Sequence, residues 1–290
     1  MGGLKMSTYR ERIKPLVLNT ISTPGAPTYS AACFEGSDWS LAPLQRSGDQ
    51  RKAPNLAHRL NEAVLELGAR YAYAPSPAKF NGKIIRPHKL MQEQMHLGEI
   101  LLYRNPDAHA DGTWLLSPGN AGIFSAGGCS MIVATMGQEM IFAHAGRDCV
   151  IDRTRITSRS RVQGRHNESV VHSIVDSLAP SSLLRSHIHA AVYYSIKPED
   201  FRHDFEDVDP EHLKYNIPAA EMLPAEYGDE CGIVDKQGIC IDVPRIIRAQ
   251  FISLGVPEEN INLEHAYLAD ELPTTRRGGG RYLAAVVRHT

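Results

Sequence analysis

Residues 129–144 read Cys-Ser-Met-Ile-Val-Ala-Thr-Met-Gly-Gln-Glu-Met-Ile-Phe-Ala-His. Two apolar arms flank a central Met-Gly pair, and this pattern predicts a β-hairpin. Cys129 and His144 are equidistant from the midpoint between Met136 and Gly137, so an antiparallel register with an even loop places them opposite each other. Opposed Cβ atoms lie about 4.5 to 5.5 Å apart. The hairpin therefore predicts a thiol beside an imidazole, although a slip of one residue would put them on opposite faces.

This pair allows two kinds of chemistry, and His96, just before a strand predicted at 99–103, is the candidate third partner. As metal ligands, His96, Cys129 and His144 leave a fourth position for water or substrate, as in catalytic zinc sites, and copper also accepts this set. As a thiol enzyme, His144 lowers the pKa of Cys129, and Gly127-Gly128 lets backbone N–H groups approach an oxyanion. An inert core cysteine and histidine is the alternative to both.

The composition is that of an ordinary globular protein, with 290 residues, 42% of them hydrophobic and 22% charged. A formal net charge of -2 gives no bulk attraction to nucleic acid or anionic lipid. No stretch approaches the roughly 18 to 20 apolar residues that span a bilayer, so we expect a cytoplasmic protein that binds neither nucleic acid nor membrane. Five cysteines without a C-x-x-C pair favour reduced thiols over a disulfide framework.

Mixed helical and strand periodicity predicts an α+β domain with largely antiparallel sheet layers flanked by helices. Residues 1–54 are rich in Pro, Gly, Ser and Thr, so we predict an irregular N-terminal extension with at most one strand at 30–34, followed by one domain over 55–290. Helices are predicted after Asn55, after a cap at Asn167, and from Asp242 to Gly255. A strand over 282–287 closes the chain.

A second candidate site is the run Thr-Thr-Arg-Arg-Gly-Gly-Gly-Arg at 274–281. Fixed cations beside glycines allow a close approach to phosphate or carboxylate, and a flexible, solvated loop is the alternative. The arginine-rich segment 147–165 is interpreted as a solvated excursion.

The chain resembles the YfiH-like or laccase-domain proteins, also described as polyphenol oxidases and purine nucleoside phosphorylases. Four elements occur in the order of that family: Gln94-Met95-His96 before a strand, Ala110-Asp111-Gly112 followed by Cys129, Ala143-His144-Ala145-Gly146, and the stretch from Asp242 to Arg281. Together they cover roughly residues 85–290. The resemblance implies a single catalytic metal site, usually taken as zinc, at His96, Cys129 and His144. It also places Arg276 and Arg277 near a purine nucleoside or phosphate, with phosphorolysis or hydrolytic deamination as the reaction.

Three departures from the family pattern affect the substrate pocket. The family's Trp-Arg-Gly is Arg147-Asp148-Cys149 here, its Asp before the cysteine is Gly128, and its paired cysteines fall at Ala191-Val192. The same superfamily is thought to include cytotoxic necrotizing factor-type Cys-His deamidases, and Ser-Ala-Gly-Gly-Cys at 125–129 resembles the toxin's Ser-Gly-Cys.

The leading hypothesis is therefore a metal-dependent enzyme that acts on a purine nucleoside or related small heterocycle, with Arg147, Arg276 and Arg277 binding anionic groups. Its expected partners are the small-molecule substrate and phosphate. A Cys129/His144 thiol hydrolase acting on an amide and a pseudoenzyme that binds a partner are the alternatives.

Overall fold

The computed structural model describes residues 15, 17–34, 39–41, 54–76, 83–91, 93–105, 109–151, 153–158, 169–207, 209–267 and 280–290. The strands are β1 Val17–Ile21, β2 Tyr29–Phe34, β3 Tyr71–Tyr73, β4 Ile84–Ile85, β5 Glu93–Leu97, β6 Ile100–Arg104, β7 Gly112–Trp114, β8 Asn120–Ala126, β9 Ser130–Met136, β10 Glu139–Ala145, β11 His189–Tyr193, β12 Arg202–Asp204, β13 Gly232–Val234, β14 Gly238–Ile241, β15 Ile261–Asn262 and β16 Tyr282–Arg288. The α-helices are α1 Pro54–Glu66, α2 Pro87–Leu90, α3 Arg147–Val150, α4 Arg153–Ser158, α5 Val170–Leu178, α6 Pro210–Tyr227 and α7 Val243–Ser253. Short 3-10 helices span Ser182–His187, Pro198–Asp200, Asp229–Cys231 and Glu258–Asn260.

Within these residues the strands form three sheets. A seven-stranded sheet has the order β1-β2-β16-β8-β3-β6-β5, a six-stranded sheet has the order β15-β11-β9-β10-β7-β4, and a small sheet has the order β12-β14-β13. The two large sheets face each other across one apolar core. Helix α1 covers the outer face of the seven-stranded sheet, and α5, α6 and α7 cover the outer face of the six-stranded sheet. The predicted α+β class with helix-flanked sheet layers is thus confirmed.

The predicted hairpin is present as β9 and β10 at the centre of the six-stranded sheet, but its register differs by two residues. Met136 pairs with Glu139, so the loop is Gly137-Gln138 rather than a turn centred on Met136-Gly137. Gly137 has a φ of 54°, which suits the first loop position of a tight hairpin turn. His144 consequently pairs with Met131 instead of Cys129. Because side chains alternate with a period of two, a shift of two residues keeps Cys129 and His144 on the same face.

Two strands before the predicted boundary at residue 54 pair with the seven-stranded sheet. Strand β2 pairs with β1 on one side and with the C-terminal strand β16 on the other, and all six of its residues are buried. Trp39 and Leu41 pack into the same core layer as α1. The apolar run at 29–34 is short and fully buried, so it lacks the alternation that identifies a half-exposed strand. Strands β1 and β2 are therefore part of the seven-stranded sheet.

Capping side chains fix the starts of two helices that lie against the six-stranded sheet. The carboxylate of Asp242 accepts a hydrogen bond from the backbone N–H of Arg245 at 3.0 Å, which confirms Asp242 as the cap of α7. Ser169 caps α5 by accepting from the N–H of His172 at 3.3 Å. The cap predicted at Asn167 lies outside the described residues. None of the described helices is both long and apolar enough to cross a membrane.

Candidate active site

Cys129 and His144 lie near each other at the open end of the β9–β10 hairpin, away from the turn. They form a diagonal pair, because the residue directly opposite His144 is Met131. His144 is buried on the face of β10 that points between the two large sheets, and its ring lies 5.7 Å from that of Phe124. Cys129 precedes the first residue of β9 and is partly exposed. A Cβ built on Gly146 would lie 3.3 Å from both Sγ of Cys129 and Nε2 of His144. The thiol and Nε2 therefore converge beside a position that only glycine fits comfortably.

Asp111 lies on the opposite side of the imidazole. It directly precedes β7, which pairs with β10, and its backbone carbonyl accepts a 2.7 Å hydrogen bond from the N–H of His144. The carboxylate is fully buried, with Oδ1 3.6 Å from Nδ1 of His144. A Cβ on the next residue, Gly112, would come within 2.7 Å of the carbonyl oxygen of Phe142, so glycine is what allows β7 to approach β10 this closely. Cys129, His144 and Asp111 thus have the relative order of a nucleophile, base and orienting carboxylate.

A second thiol, that of Cys149, contacts the same carboxylate and imidazole. Cys149 lies in α3, and its Sγ donates to Oδ1 of Asp111 at 3.3 Å and lies 3.6 Å from Nδ1 of His144. Burial raises the pKa of Cys149 to about 12, against the opposing effect of His144, so this thiol stays protonated. Asp111, His144 and Cys149 are all buried, and their ligand atoms lie within 4.8 Å of one another, close enough to hold a metal ion.

The electrostatics of the site favour a thiolate–imidazolium pair. Burial alone would raise the pKa of Cys129, but the charge and hydrogen bond of His144, together with the charge of Arg281, outweigh it and lower that pKa. Burial likewise opposes protonation of His144, yet Cys129 and Asp111 raise its pKa well above the ordinary range. The side chain of Asp148 acts in the opposite direction and raises the pKa of Cys129. The charges therefore favour the thiolate form of Cys129, whereas the pKa of Cys149 is raised.

A pocket of about 100 Å³ opens beside the Cys129 thiol. Arg147 is its cationic wall: the guanidinium is hydrogen-bonded to Asp148 at 2.8 Å and lies 4.9 Å from the centre of the Tyr215 ring. The lining residues are Gly127, Gly128, Cys129, Ser130, Ala145, Arg147, Ser195, Ile196, Phe201 and Val243. Arg147 therefore lies beside Cys129, in a helix and not in a solvated excursion, and its predicted binding of an anionic group stays a prediction.

Two loops shape the wall of this pocket. Gly128 has a φ of 119°, in the range that favours glycine, and its carbonyl accepts a 2.9 Å hydrogen bond from the N–H of Ile196. Tyr194, at a φ of 59°, is the one non-glycine residue with positive φ in the described ranges. Its hydroxyl donates to the carbonyl of Ala31 at 2.9 Å, which helps to hold this conformation. Strained backbone of this kind is often found beside functional sites.

Comparison with solved structures places this architecture among known proteins. YlmD from Geobacillus stearothermophilus is 16% identical with a TM-score of 0.57, and the match covers 92% of this chain and 94% of YlmD. The Bacillus licheniformis hypothetical protein YfiH is 13% identical, with a TM-score of 0.53 and coverage of 89% and 92%. NMB0706 of Neisseria meningitidis, a DUF152 protein, is 13% identical, with a TM-score of 0.60 and coverage of 94% and 99%.

The chain has the YfiH fold. No family model and no curated protein sequence matches it. At these identities the similarity concerns the fold alone, and it agrees with the resemblance seen in the motifs.

Within this YfiH fold, the structure does not bring His96 to the thiol and imidazole. His96 lies on β5, an edge strand of the seven-stranded sheet, where it pairs with Leu101 and is exposed. Met95 and Leu97 point into the core, so alternation along the strand directs His96 away from it. Asp111 and Cys149 occupy the positions next to His144 instead. Arg276 and Arg277 lie outside the described residues, so their predicted role stays a prediction.

The sequence alone did not identify Asp111 and Cys149 as the neighbours of the His144 imidazole. The sequence places Asp111 in a loop of ambiguous role and in the Ala110-Asp111-Gly112 element, and it shows Cys149 as a departure from the family pattern. The signal available for Cys149 was its position five residues after His144, just beyond a strand and at the start of a helix. For Asp111 it was a carboxylate between Ala110 and Gly112, ahead of a strand that could pair with the hairpin.

Proposed function

We propose that this protein is a thiol enzyme that hydrolyses a small amide, with Cys129 as nucleophile, His144 as acid and base, and Asp111 as the group that orients His144. One observation carries the proposal: the thiol and the carboxylate contact opposite sides of a single buried imidazole, and the charges there lower the pKa of Cys129. The reduced thiol that this chemistry needs agrees with the cytoplasmic location expected from the sequence.

The reaction proceeds in two displacements. The Cys129 thiolate attacks the amide carbon, and the carbonyl electrons move to the oxygen. As the C–N bond breaks, the imidazolium of His144 gives its Nε2 proton to the nitrogen, which leaves as ammonia from a primary amide. His144 then takes a proton from water, the hydroxide attacks the thioester carbon, and the C–S bond breaks to restore the thiolate. The sum is amide plus water giving carboxylic acid plus ammonia.

The size of the pocket bears on the substrate. Its described walls border about 100 Å³ of space that is open to solvent on one side. A side-chain-sized group fits this space beside Cys129. Arg147 supplies the single cationic side chain among the lining residues described, and it suits a substrate with a nearby negative charge.

A metal-dependent enzyme is the second candidate, and the distances between three donor atoms favour it. The Sγ of Cys149 lies 3.3 Å from Oδ1 of Asp111 and 3.6 Å from Nδ1 of His144. The distance between that Oδ1 and that Nδ1 is also 3.6 Å. Metal–ligand bonds of about 2.0 to 2.3 Å in a tetrahedron give edges of roughly 3.3 to 3.8 Å, so the carboxylate, imidazole and thiol fit zinc. Bound there, a zinc ion would supply Lewis-acid activation of water or phosphate, for use against a purine nucleoside or related heterocycle. This candidate requires Cys149 to lose its proton and His144 to present Nδ1 without a proton.

The two candidates are separated by assaying the purified protein with and without a chelator. Ammonia release is measured from free glutamine, free asparagine and a glutamine-containing peptide, and purine release is measured from inosine and adenosine with phosphate. A thiol amidase keeps its activity in chelator and loses at least about 1,000-fold in a Cys129→Ala variant. Activity that disappears with chelator and returns with zinc, and that survives Cys129→Ala but not Cys149→Ala, would overturn the thiol mechanism in favour of the metal.

A further inference from the structure

We propose that strand β13 is a self-association surface, and that two copies of this chain join edge to edge through it to continue the small sheet across both molecules. This inference does not depend on the proposed chemistry, because β13 does not line the pocket beside Cys129. In the small sheet β13 pairs with β14 on one side only, so it is an edge strand within the described residues. Ile233 is 59% exposed and Val234 is 46% exposed, although both are β-branched apolar residues. Native proteins usually protect such an edge with charges, prolines or bulges.

The hydrogen bonds of the β13–β14 hairpin show which backbone groups face outwards. Next to the turn, the N–H of Asp235 donates to the carbonyl of Gly238 at 3.0 Å. Bonding alternates along an antiparallel pair, so Ile233, two residues away, also bonds inwards to β14. Gly232 and Val234 therefore direct their N–H and C=O groups to the free edge. That edge is a row of donors and acceptors that a further strand can meet.

The exposed edge is complementary to a second copy of itself. With a twofold axis beside Ile233, each Gly232 lies opposite Val234 of the other copy, and each such pair can exchange both backbone hydrogen bonds. The two Ile233 side chains then meet at the axis on one face of the joined sheet. The same register brings Lys236 of one copy towards Glu230 of the other, and both residues are exposed. Opposite charges therefore meet at both ends of the paired strands.

The turn next to β13 holds this edge in a fixed conformation before association. The guanidinium of Arg202, on β12, donates to both carboxylate oxygens of Asp235. Asp235 also accepts from the N–H of Gln237 at 2.8 Å and from that of Gly238 at 3.1 Å. An edge that is already ordered loses less conformational entropy when it pairs. The paired strands are short, and stable interfaces bury at least roughly 1,200 Å², so we expect a weak dimer with a dissociation constant of about 10 to 100 μM.

Sedimentation equilibrium over about 2 to 500 μM protein, at low salt and with reductant so that disulfides do not contribute, measures the association. The wild-type mass should rise from that of one chain towards that of two. Glu230→Lys and Lys236→Glu should each weaken the dimer at least about fivefold, because like charges then meet at both ends. An equimolar mixture of these two variants should associate more tightly than either alone, since opposite charges face each other again between unlike chains. Glu66→Lys, a reversal at an exposed position on α1, is the matched control and should leave the dimer unchanged.

Ile233→Arg places two like charges at the axis and should lower the association constant by more than about tenfold. Its control is Leu183→Arg, since Leu183 is 84% exposed on a different element. Circular dichroism establishes that each variant is folded. The proposal is overturned if the wild-type mass stays at that of one chain, as it would if another segment of the chain covers the edge. A dimer that survives Ile233→Arg, or a mixture of the charge variants that associates no better than either alone, also overturns it, because another surface would then carry the contact.

Discussion

Asp111→Asn tests whether the buried carboxylate sustains the charged Cys129–His144 pair. The substitution keeps the size of the side chain and removes its negative charge. Because Asp111 lies nearer to the imidazole than to the Cys129 sulfur, its loss weakens the imidazolium and, through it, the thiolate. The fraction of Cys129 that is thiolate at neutral pH should therefore decrease in the variant, and the reactivity of Cys129 should decrease with it.

The magnitude follows from the 3.6 Å between Oδ1 of Asp111 and Nδ1 of His144. Two unit charges at that distance attract by about 4 to 5 kcal/mol at an effective dielectric constant of 20. Relaxation and entering water recover part of this energy, and each 1.4 kcal/mol corresponds to about tenfold. We therefore expect alkylation of Cys129 at pH 6.5 to fall about 10- to 100-fold, and to approach the wild-type rate at pH 9.5, where the thiol ionises without help.

Iodoacetamide alkylation at Cys129, followed by peptide mass spectrometry from pH 5.5 to 9.5, measures this change. Asp148→Asn is the matched control, since the Asp148 charge raises the pKa of Cys129 and its removal should lower it. Cys129 in the control should thus react at least as fast as in the wild type at pH 6.5. The electrostatic role of Asp111 would be refuted if Cys129 were alkylated at equal rates in the two variants. It would also be refuted if the decrease in the Asp111→Asn rate persisted unchanged at pH 9.5.

Three further changes test other parts of the site. His96→Ala should leave both the pH profile of Cys129 alkylation and the zinc content unchanged, because His96 is exposed on an edge strand; loss of bound zinc would restore the ligand set inferred from the family resemblance. If zinc binds, Cys149→Ala should weaken the affinity of the protein for zinc by on the order of a hundredfold, measured by competition with a chromogenic chelator. The control Cys231→Ala removes a buried thiol outside the cluster and should leave the zinc affinity unchanged. Gly112→Ala should lower the free energy of unfolding in urea by about 1 to 3 kcal/mol, since its Cβ would lie 2.6 to 2.7 Å from atoms of β4 and β10; an unchanged midpoint would show that β7 can move away.

The hairpin could be predicted from sequence because its information is local. Alternating apolar arms and a glycine turn specify β9 and β10, and an error of two residues in the register left Cys129 and His144 on the same face. Helix α7 could also be predicted from sequence, because its ends are marked by Asp242, by a proline in the first turn and by Gly255. These signals depend on neighbours in the chain and do not need the tertiary structure.

The rest of the site depends on contacts between distant segments. Asp111 reaches His144 only because β7 pairs with β10, and a pairing partner is not encoded in the spacing of either strand. His96 is predicted from its place before a strand and from the order of the motifs, and neither can show that β5 is an edge strand. The strand predicted at 30–34 is present as β2, but its place in the sheet could not be predicted, since β2 owes its burial to β16 at the other end of the chain.

The backbone hydrogen bond from the N–H of His144 to the carbonyl of Asp111 links these two residues at a central strand pair. Amides in such positions exchange with deuterium only when the whole domain opens, whereas those of edge strands such as β5 exchange through local fluctuations. The imidazole of His144 and the carboxylate of Asp111 should therefore stay aligned until the domain unfolds. Heat inactivation and loss of amide protection at His144 should then occur in the same cooperative transition.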